Sequence, residues 1–322
     1  MADANDFMRR RHAAFSTPDA ALFDLVARAT RRQPIRSERI VQGYDNEVYA
    51  VETDDGASFI VRLHRFGEVS LTQEAWALEQ CRRQGVPVPE VLGLETLTMA
   101  DGCREVMVQR RLPGRPLSAI LPSLGPGERA RVLFRAGEAL RGIHTINVGG
   151  YYRRRDDGSW DFPSRVAVAK SAMRHRAAEA PQLLTHLSAV DVARMLEILS
   201  QQEHEARGEQ PVLCHGDFVP QHIFVTDGLA LRGVIDFGEF QGGAPIHDLA
   251  YLALEQPDLP MAPLLAGYDD ARVVGPGFTE RLHRYQIGLG MGYLAHYVGT
   301  GNDVEARRVA ARLKAVLGAI PD

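Results

Sequence analysis

Three short segments of this chain carry side chains suited to acid–base or metal chemistry. They are His215-Gly216-Asp217, then His222, then Asp236-Phe237-Gly238. Between the last two lies a hairpin pattern. The β-prone runs Ile223-Phe224-Val225 and Leu231 to Ile235 flank Thr226-Asp227-Gly228, a turn signal between extended segments. A hairpin brings its ends together, so the sequence predicts that Asp217, His222 and Asp236 converge on one patch. Two carboxylates and an imidazole in one place can hold a divalent cation and leave one carboxylate as a base. Phosphoryl transfer uses that division: a metal neutralises phosphate oxygens, and a carboxylate orients the attacking hydroxyl and takes its proton. The same side chains, with His215, His222, Asp217 and Asp236 all as ligands, also suit a metal-dependent hydrolase.

The elements expected to carry these residues follow from periodicity and punctuation. Thr17-Pro18-Asp19 reads as a helix start, with Thr17 as the cap, before apolar Leu22, Leu25 and Val26 at helical spacing. Ile40-Val41, Val48 to Val51 and Phe59 to Leu63 read as strands, the last two joined by the turn Asp54-Asp55-Gly56. A helix is expected over 71–84, ended by Gly85, with Pro87 and Pro89 forcing an extended exit. Val106 to Gln109 is a further strand. Leu112-Pro113-Gly114-Arg115-Pro116 then breaks the pattern and marks a hinge. Beyond it, 128–144 and 164–206 read as helical, and helices resume after the hairpin. A β-rich front and a helical back imply an α+β, two-lobed protein, with lobes 1–112 and 113–322.

Composition narrows the classes. The 322 residues are 45% hydrophobic and 24% charged, which is ordinary for a soluble globular chain long enough for a large core. The formal net charge of −4 argues against a nucleic-acid binder. Cys81, Cys103 and Cys214 are scattered, with no paired spacing, so neither a disulfide framework nor a zinc ribbon is expected. Arg9 to Arg11 precede no apolar core, and no apolar run is long enough to span a membrane. The expectation is a cytoplasmic protein with no nucleic-acid or membrane partner, a monomer or weak dimer. Gly288-Leu289-Gly290-Met291-Gly292 imitates a dinucleotide fingerprint but follows a helical stretch, so close helix packing is the reading taken. Arg153-Arg154-Arg155 is taken as a solvated loop.

The ordered run Leu213-Cys214-His215-Gly216-Asp217-Phe218, His222-Ile223, Val234-Ile235-Asp236-Phe237-Gly238-Glu239, Gly243, Pro245 and His247-Asp248-Leu249-Ala250 resembles the aminoglycoside phosphotransferase and choline kinase-like family. The resemblance implies a protein-kinase-like fold, with a β-rich N-lobe and a mainly helical C-lobe. It implies ATP or GTP and Mg2+ as cofactors, and a small-molecule hydroxyl as acceptor. On this resemblance Asp217 is the catalytic base and Asp236 binds magnesium, while His215 and Asp248 support the catalytic loop. His222 stands where the family usually has Asn. An amide oxygen suits magnesium better than an imidazole does, and a His there resembles the macrolide phosphotransferases of the same superfamily. His222 is read as a metal or phosphate contact.

In the first lobe the resemblance extends to Gly43-Tyr44-Asp45-Asn46-Glu47-Val48-Tyr49, similar to a loop whose backbone N–H groups cover phosphates. Gly43 and Asn46 are thereby implied in nucleotide binding. Arg62 takes the place of the phosphate-gripping residue, and Glu74 on the next helix would pair with it; Glu79 is the other candidate. Backbone groups from Arg110 to Leu112 would face the nucleotide base. A nucleotide-binding protein without catalysis remains a further alternative, disfavoured by the presence of every carboxylate the chemistry needs. For the acceptor, Glu239, Glu255, Asp258, Asp269 and Asp270 suit a polycationic aminoglycoside. Phe240, Tyr251, Leu252, Leu254, Met261 and Tyr293 suit an apolar macrolide. Sugar, choline or homoserine acceptors are also open.

Overall fold

Five antiparallel strands form the first sheet: β1 (Pro34–Ile40), β2 (Asn46–Thr53), β3 (Ser58–His64), β4 (Val91–Met99) and β5 (Gly102–Arg110), in the order β1-β2-β3-β5-β4. Period-two alternation decides what each face carries. Phe59, Val61 and Leu63 of β3 pack with Tyr49, Val51, Val106 and Val108 against Leu22, Leu25 and Val26 of the Asp19–Thr30 helix. Arg62, between them in sequence, therefore falls on the other face. The Leu71–Arg83 helix buries Leu71, Glu74, Ala77, Leu78 and Cys81. Ser70 caps it by accepting from the Gln73 amide, which contributes about 1 kcal/mol. It stops before Gly85, whose φ of 74° is left-handed.

The described residues of this computed structural model are 16–41, 46–65, 70–99, 102–205 and 210–320, with backbone only over 201–205. They divide into two units. The first runs to Arg115 and includes Phe224–Gly238; the second comprises Pro116–Ile223 and the chain from Glu239 on. The hairpin of Ile223–Val225 and Leu231–Val234 forms as read from the sequence. It is held to the first unit where the Val234 amide donates to the Pro87 carbonyl (2.9 Å). Gly233 is required there, since a Cβ would sit 2.8 Å from that carbonyl oxygen.

The second unit is mainly helical. Its core joins Val192, Met195, Leu199, Ile287, Met291, Leu294, Val309 and Leu313 from the 189–205, 278–299 and 303–318 helices. A small sheet runs in the order Trp160–Phe162, Tyr151–Arg154, Gln241–Gly243, Val212–Cys214. It pairs Gln241 with Cys214 and so fixes the chain immediately before His215.

Several expectations need correction. Thr17 does not cap the first helix; Pro18 is the N-cap residue, with no side-chain cap. The Thr17 amide instead donates to the Glu47 carboxylate (2.8 Å) and the Tyr49 hydroxyl (3.0 Å). Arg153 and Arg154 lie in a strand, not a solvated loop, and Arg153 is held by the Glu239 carboxylate and the Phe240 carbonyl. The 102–110 strand has a partner, β4, that the sequence reading missed. Gly288, Gly290 and Gly292 lie within one helix, Phe278–Gly299, where a Cβ on Gly290 would come within 2.6 Å of Leu313. Close packing is their role.

Candidate active site

In the first unit, Arg62, Glu74 and Asp236 come together. Arg62 Nη1 donates to Glu74 Oε1, and Nη2 donates to Asp236 Oδ1 (3.0 Å). Glu74 also accepts from the backbone of Phe237. Burial alone would lower the Arg62 pKa, but the two carboxylates outweigh it and raise it. A guanidinium fork suits this double contact better than an ammonium would. Asp236 has φ of 66°, a backbone state few non-glycine residues adopt. Its side chain is 39% exposed. Phe237 behind it is fully buried. Glu79 points away and pairs with Arg83 on the helix surface.

Asn46 opens β2 opposite His64. Gly43, Tyr44 and Asp45 lie outside the described residues. Along the strand exit, the Arg110 amide donates to the Glu90 carbonyl and the Arg111 amide to the Ser58 carbonyl. The Arg110 guanidinium pairs with Glu90 on the surface. Leu112 is half-buried, against the position of Gly233.

In the second unit the segment 215–222 is built around Asp248, on the Ile246–Glu255 helix. This carboxylate is fully buried. Oδ2 accepts from the His215 amide (2.7 Å) and Oδ1 from the Gly216 amide (2.8 Å). His144 Nε2 lies 2.9 Å from Oδ2, and its Nδ1 lies 2.8 Å from the Tyr268 hydroxyl. Burial would raise the Asp248 pKa, but the His144 hydrogen bond and the neighbouring imidazoles hold it at about 2. Gly216 has φ of 84°, and a Cβ there would lie 1.9 Å from the Glu239 carbonyl oxygen. Only glycine fits between His215 and Asp217.

His215 is fully buried and accepts from the Asp217 amide at Nδ1 (3.2 Å). His222 stacks on it, with ring centroids 6.1 Å apart. His222 Nδ1 donates to the Asp217 carbonyl (2.9 Å), which makes Nε2 the acceptor nitrogen of the neutral ring. The Asp217 side chain is partly exposed, with its Oδ2 3.6 Å from His222 Nδ1. Tyr293 follows Tyr251, with centroids 5.7 Å apart.

His144 and Tyr268 were missed as site residues, and Tyr251 was read only as a candidate wall of an apolar acceptor pocket. Tyr251 had one usable signal: it lies three residues after Asp248 on the same helix, and so on the same face. Among the described residues, the potential metal-ligand cluster is His144, Cys214 and Asp248, all buried. The contacts just described engage His144 and Asp248, and the Cys214 thiol donates to the Ala244 carbonyl, so this is a structural network. It is not the ligand set a hydrolase would need.

Of the acidic residues expected to draw a cation, three are paired internally. Glu239 is held by Arg153, Glu255 by Arg308, and Asp270 by Arg141 and Arg272. Of the apolar set, Phe240, Leu252 and Leu254 are core.

A buried carboxylate bracing a His-Gly-Asp turn, and an Arg–Glu pair gripping the Asp of Asp-Phe-Gly, define a phosphotransferase of the kinase-like fold. The model of the phosphotransferase enzyme family matches residues 37–281, and the chain belongs to that family, as a small-molecule kinase. It is similar to the aminoglycoside 3'-phosphotransferase of Streptomyces fradiae, 28% identical over 221 residues, covering 67% of this chain and 72% of that one. Its fold is similar to a thermostable mutant of aminoglycoside phosphotransferase APH(4)-Ia solved with ADP and hygromycin B. There the TM-score is 0.73 at 16% identity, over 94% of this chain and 99% of that chain. The amicoumacin kinase hAmiN, solved with AMP-PNP, Ca2+ and Ami, gives a TM-score of 0.64 at 15% identity, over 98% and 96%. No helix among the described residues is long and apolar enough to cross a membrane.

Proposed function

We propose that this enzyme transfers the γ-phosphoryl group of ATP or GTP to a hydroxyl of an antibiotic, with an aminoglycoside-type acceptor first. The observation that carries the reading is the Asp217 carboxylate, partly exposed on a loop braced by Asp248. The aminoglycoside relative supports the acceptor class. The internal pairing of three acidic residues weakens a purely electrostatic recognition of that acceptor, and the His222 variant keeps a macrolide-type acceptor as the second choice. We assign the first unit to the nucleotide and the second to the acceptor. The cell compartment proposed is the cytoplasm.

Asp217 takes the proton of the acceptor hydroxyl as that oxygen bonds to the γ-phosphorus. The bond from γ-phosphorus to the bridging oxygen breaks, and the nucleoside diphosphate leaves with the electron pair. Arg62 pairs with phosphate oxygens while Glu74 orients it. Asp236, one oxygen held by Arg62 and the side chain partly exposed, fits a magnesium ligand through its other oxygen. Bound there, Mg2+ would neutralise charge on the phosphate oxygens. His222 fits magnesium less well, since imidazole suits softer ions; with Nδ1 donating to the Asp217 carbonyl, the phosphate contact assigned to it is made by the Nε2–H of the protonated ring, because the bare Nε2 of the neutral ring has no proton to give a phosphate oxygen. Base recognition is assigned to the Arg110 carbonyl and Leu112 amide, since the Arg110 and Arg111 amides serve the strand exit.

The test is a panel of aminoglycosides, macrolides, choline, homoserine and sugars, each with MgATP and MgGTP, read by phosphorylated product. Turnover of an aminoglycoside is expected. Turnover of choline, homoserine or a sugar alone would overturn the antibiotic assignment.

A further inference from the structure

Glu105 lies on β5, two residues from Met107, and Met107 stands opposite Arg62 of β3. Opposed residues, and residues two apart on one strand, share a sheet face. Glu105 and Arg62 therefore project from one face, and both meet the 71–83 helix. Arg62 reaches Glu74 on that helix. Glu105 reaches the start of it: Oε2 accepts from the Leu71 amide (2.9 Å) and Oε1 from the Thr72 hydroxyl (2.6 Å). Leu71 is the first helical residue, so its amide is one that the helix itself leaves without an acceptor. A carboxylate is also the charge that the positive end of a helix favours. Leu71 is buried, Glu105 half-buried and Thr72 exposed, so the bond to the Leu71 amide, shielded from water, is the stronger of the two. Glu74 follows three residues on from Leu71, about 4.5 Å along the helix axis. Its amide donates to the Ser70 carbonyl (3.0 Å), so Glu74 belongs to the same first turn that Glu105 holds.

We propose that Glu105 is a positioning residue for Arg62: by fixing the first turn of the 71–83 helix it sets the place of Glu74, and through Glu74 the direction of the guanidinium. This rests on the reading of Arg62 as the phosphate contact. Two carboxylates hold that guanidinium, Glu74 from the helix and Asp236 from beyond the hairpin. A helix start that loses its acceptor frays, and Glu74 would move with it, leaving Arg62 to follow Asp236 alone. The Glu105 carboxylate is engaged at the helix start, so its contribution is to the aim of Arg62 before a phosphate arrives.

The experiment titrates the full chain with MgAMP-PNP and MgGMP-PNP by isothermal calorimetry and follows the tighter of the two. Wild type is compared with Glu105→Ala, Glu105→Gln, Glu74→Ala, Arg62→Lys and the pair Glu105→Ala with Glu74→Ala, each first shown to unfold in one cooperative thermal transition. Glu105→Ala is expected to raise the nucleotide Kd roughly 3- to 10-fold, the scale of one hydrogen bond. Glu105→Gln keeps one acceptor oxygen, and a rise of about two- to threefold is expected; it carries the test should the alanine variant not fold. With Glu74→Ala already in place, Glu105→Ala is expected to add nothing to Kd, because no carboxylate then joins the helix to Arg62. A wild-type Kd in the folded Glu105 variants, with only the thermal midpoint lowered, makes Glu105 a structural cap and overturns the proposal. So does a rise in Kd that persists in full in the Glu74→Ala background. If Arg62→Lys keeps the wild-type Kd, or the wild type binds neither nucleotide, the underlying reading of Arg62 fails instead.

Discussion

Arg62 binds two carboxylates with one guanidinium: Glu74 on the next helix and Asp236 after the hairpin. An ammonium in its place would keep the charge and lose the fork. Arg62→Lys is therefore expected to raise the nucleotide KM about tenfold, the equivalent of about 1.4 kcal/mol, with a smaller fall in kcat. Initial rates over a nucleotide titration check this. The Arg62–Glu74 pair was legible because Arg62 sits in a β-run and Glu74 early in the next helix. His144 was not legible, since its partner Asp248 lies 104 residues away and no local pattern links them. Glu47, placed by sequence in a phosphate-covering loop, is a buried partner of Arg65, Tyr49 and Thr17.

At the scale of the element, the His-Gly-Asp turn has no slack. Gly216 combines a left-handed backbone, a Cβ position overlapping a carbonyl, and an amide held by Asp248. Gly216→Ala is expected to cost about 3 kcal/mol or more, read as a lower denaturation midpoint, together with loss of activity as Asp217 shifts. Asp248 gives the turn a pH dependence. Its folded pKa of about 2 lies below the ordinary carboxylate value of 3.8, so its stabilisation is complete above about pH 4. As pH falls through the folded value the protein loses about 2 kcal/mol. Asp248→Asn is expected to flatten stability between about pH 4 and 2 in acid titrations, while lowering it at neutral pH. Glycine at this turn was readable from the motif; its cause, the Glu239 carbonyl, comes from a segment beyond the hairpin.

At the scale of the whole molecule, alternation and punctuation predicted the β-rich first unit, and helical periodicity predicted the second. A linear reading follows the chain and divides it at a hinge. The fold instead assigns Phe224–Gly238 to the first unit, because Gly233 and Val234 dock on Pro87, a contact separated by well over a hundred residues. The short sheet of Tyr151–Arg154 and Trp160–Phe162 went unread for a similar reason: it gains its stability by pairing with Gln241–Gly243. Kinase class and fold follow from the family and the architecture. The catalytic assignment centres on Asp217. The most direct test is quantification of phosphorylated product by wild type and Asp217→Asn, with the best acceptor of the panel. Loss of at least about 100-fold in kcat at an unchanged thermal midpoint is the predicted result. Wild-type product formation by the folded variant would contradict it.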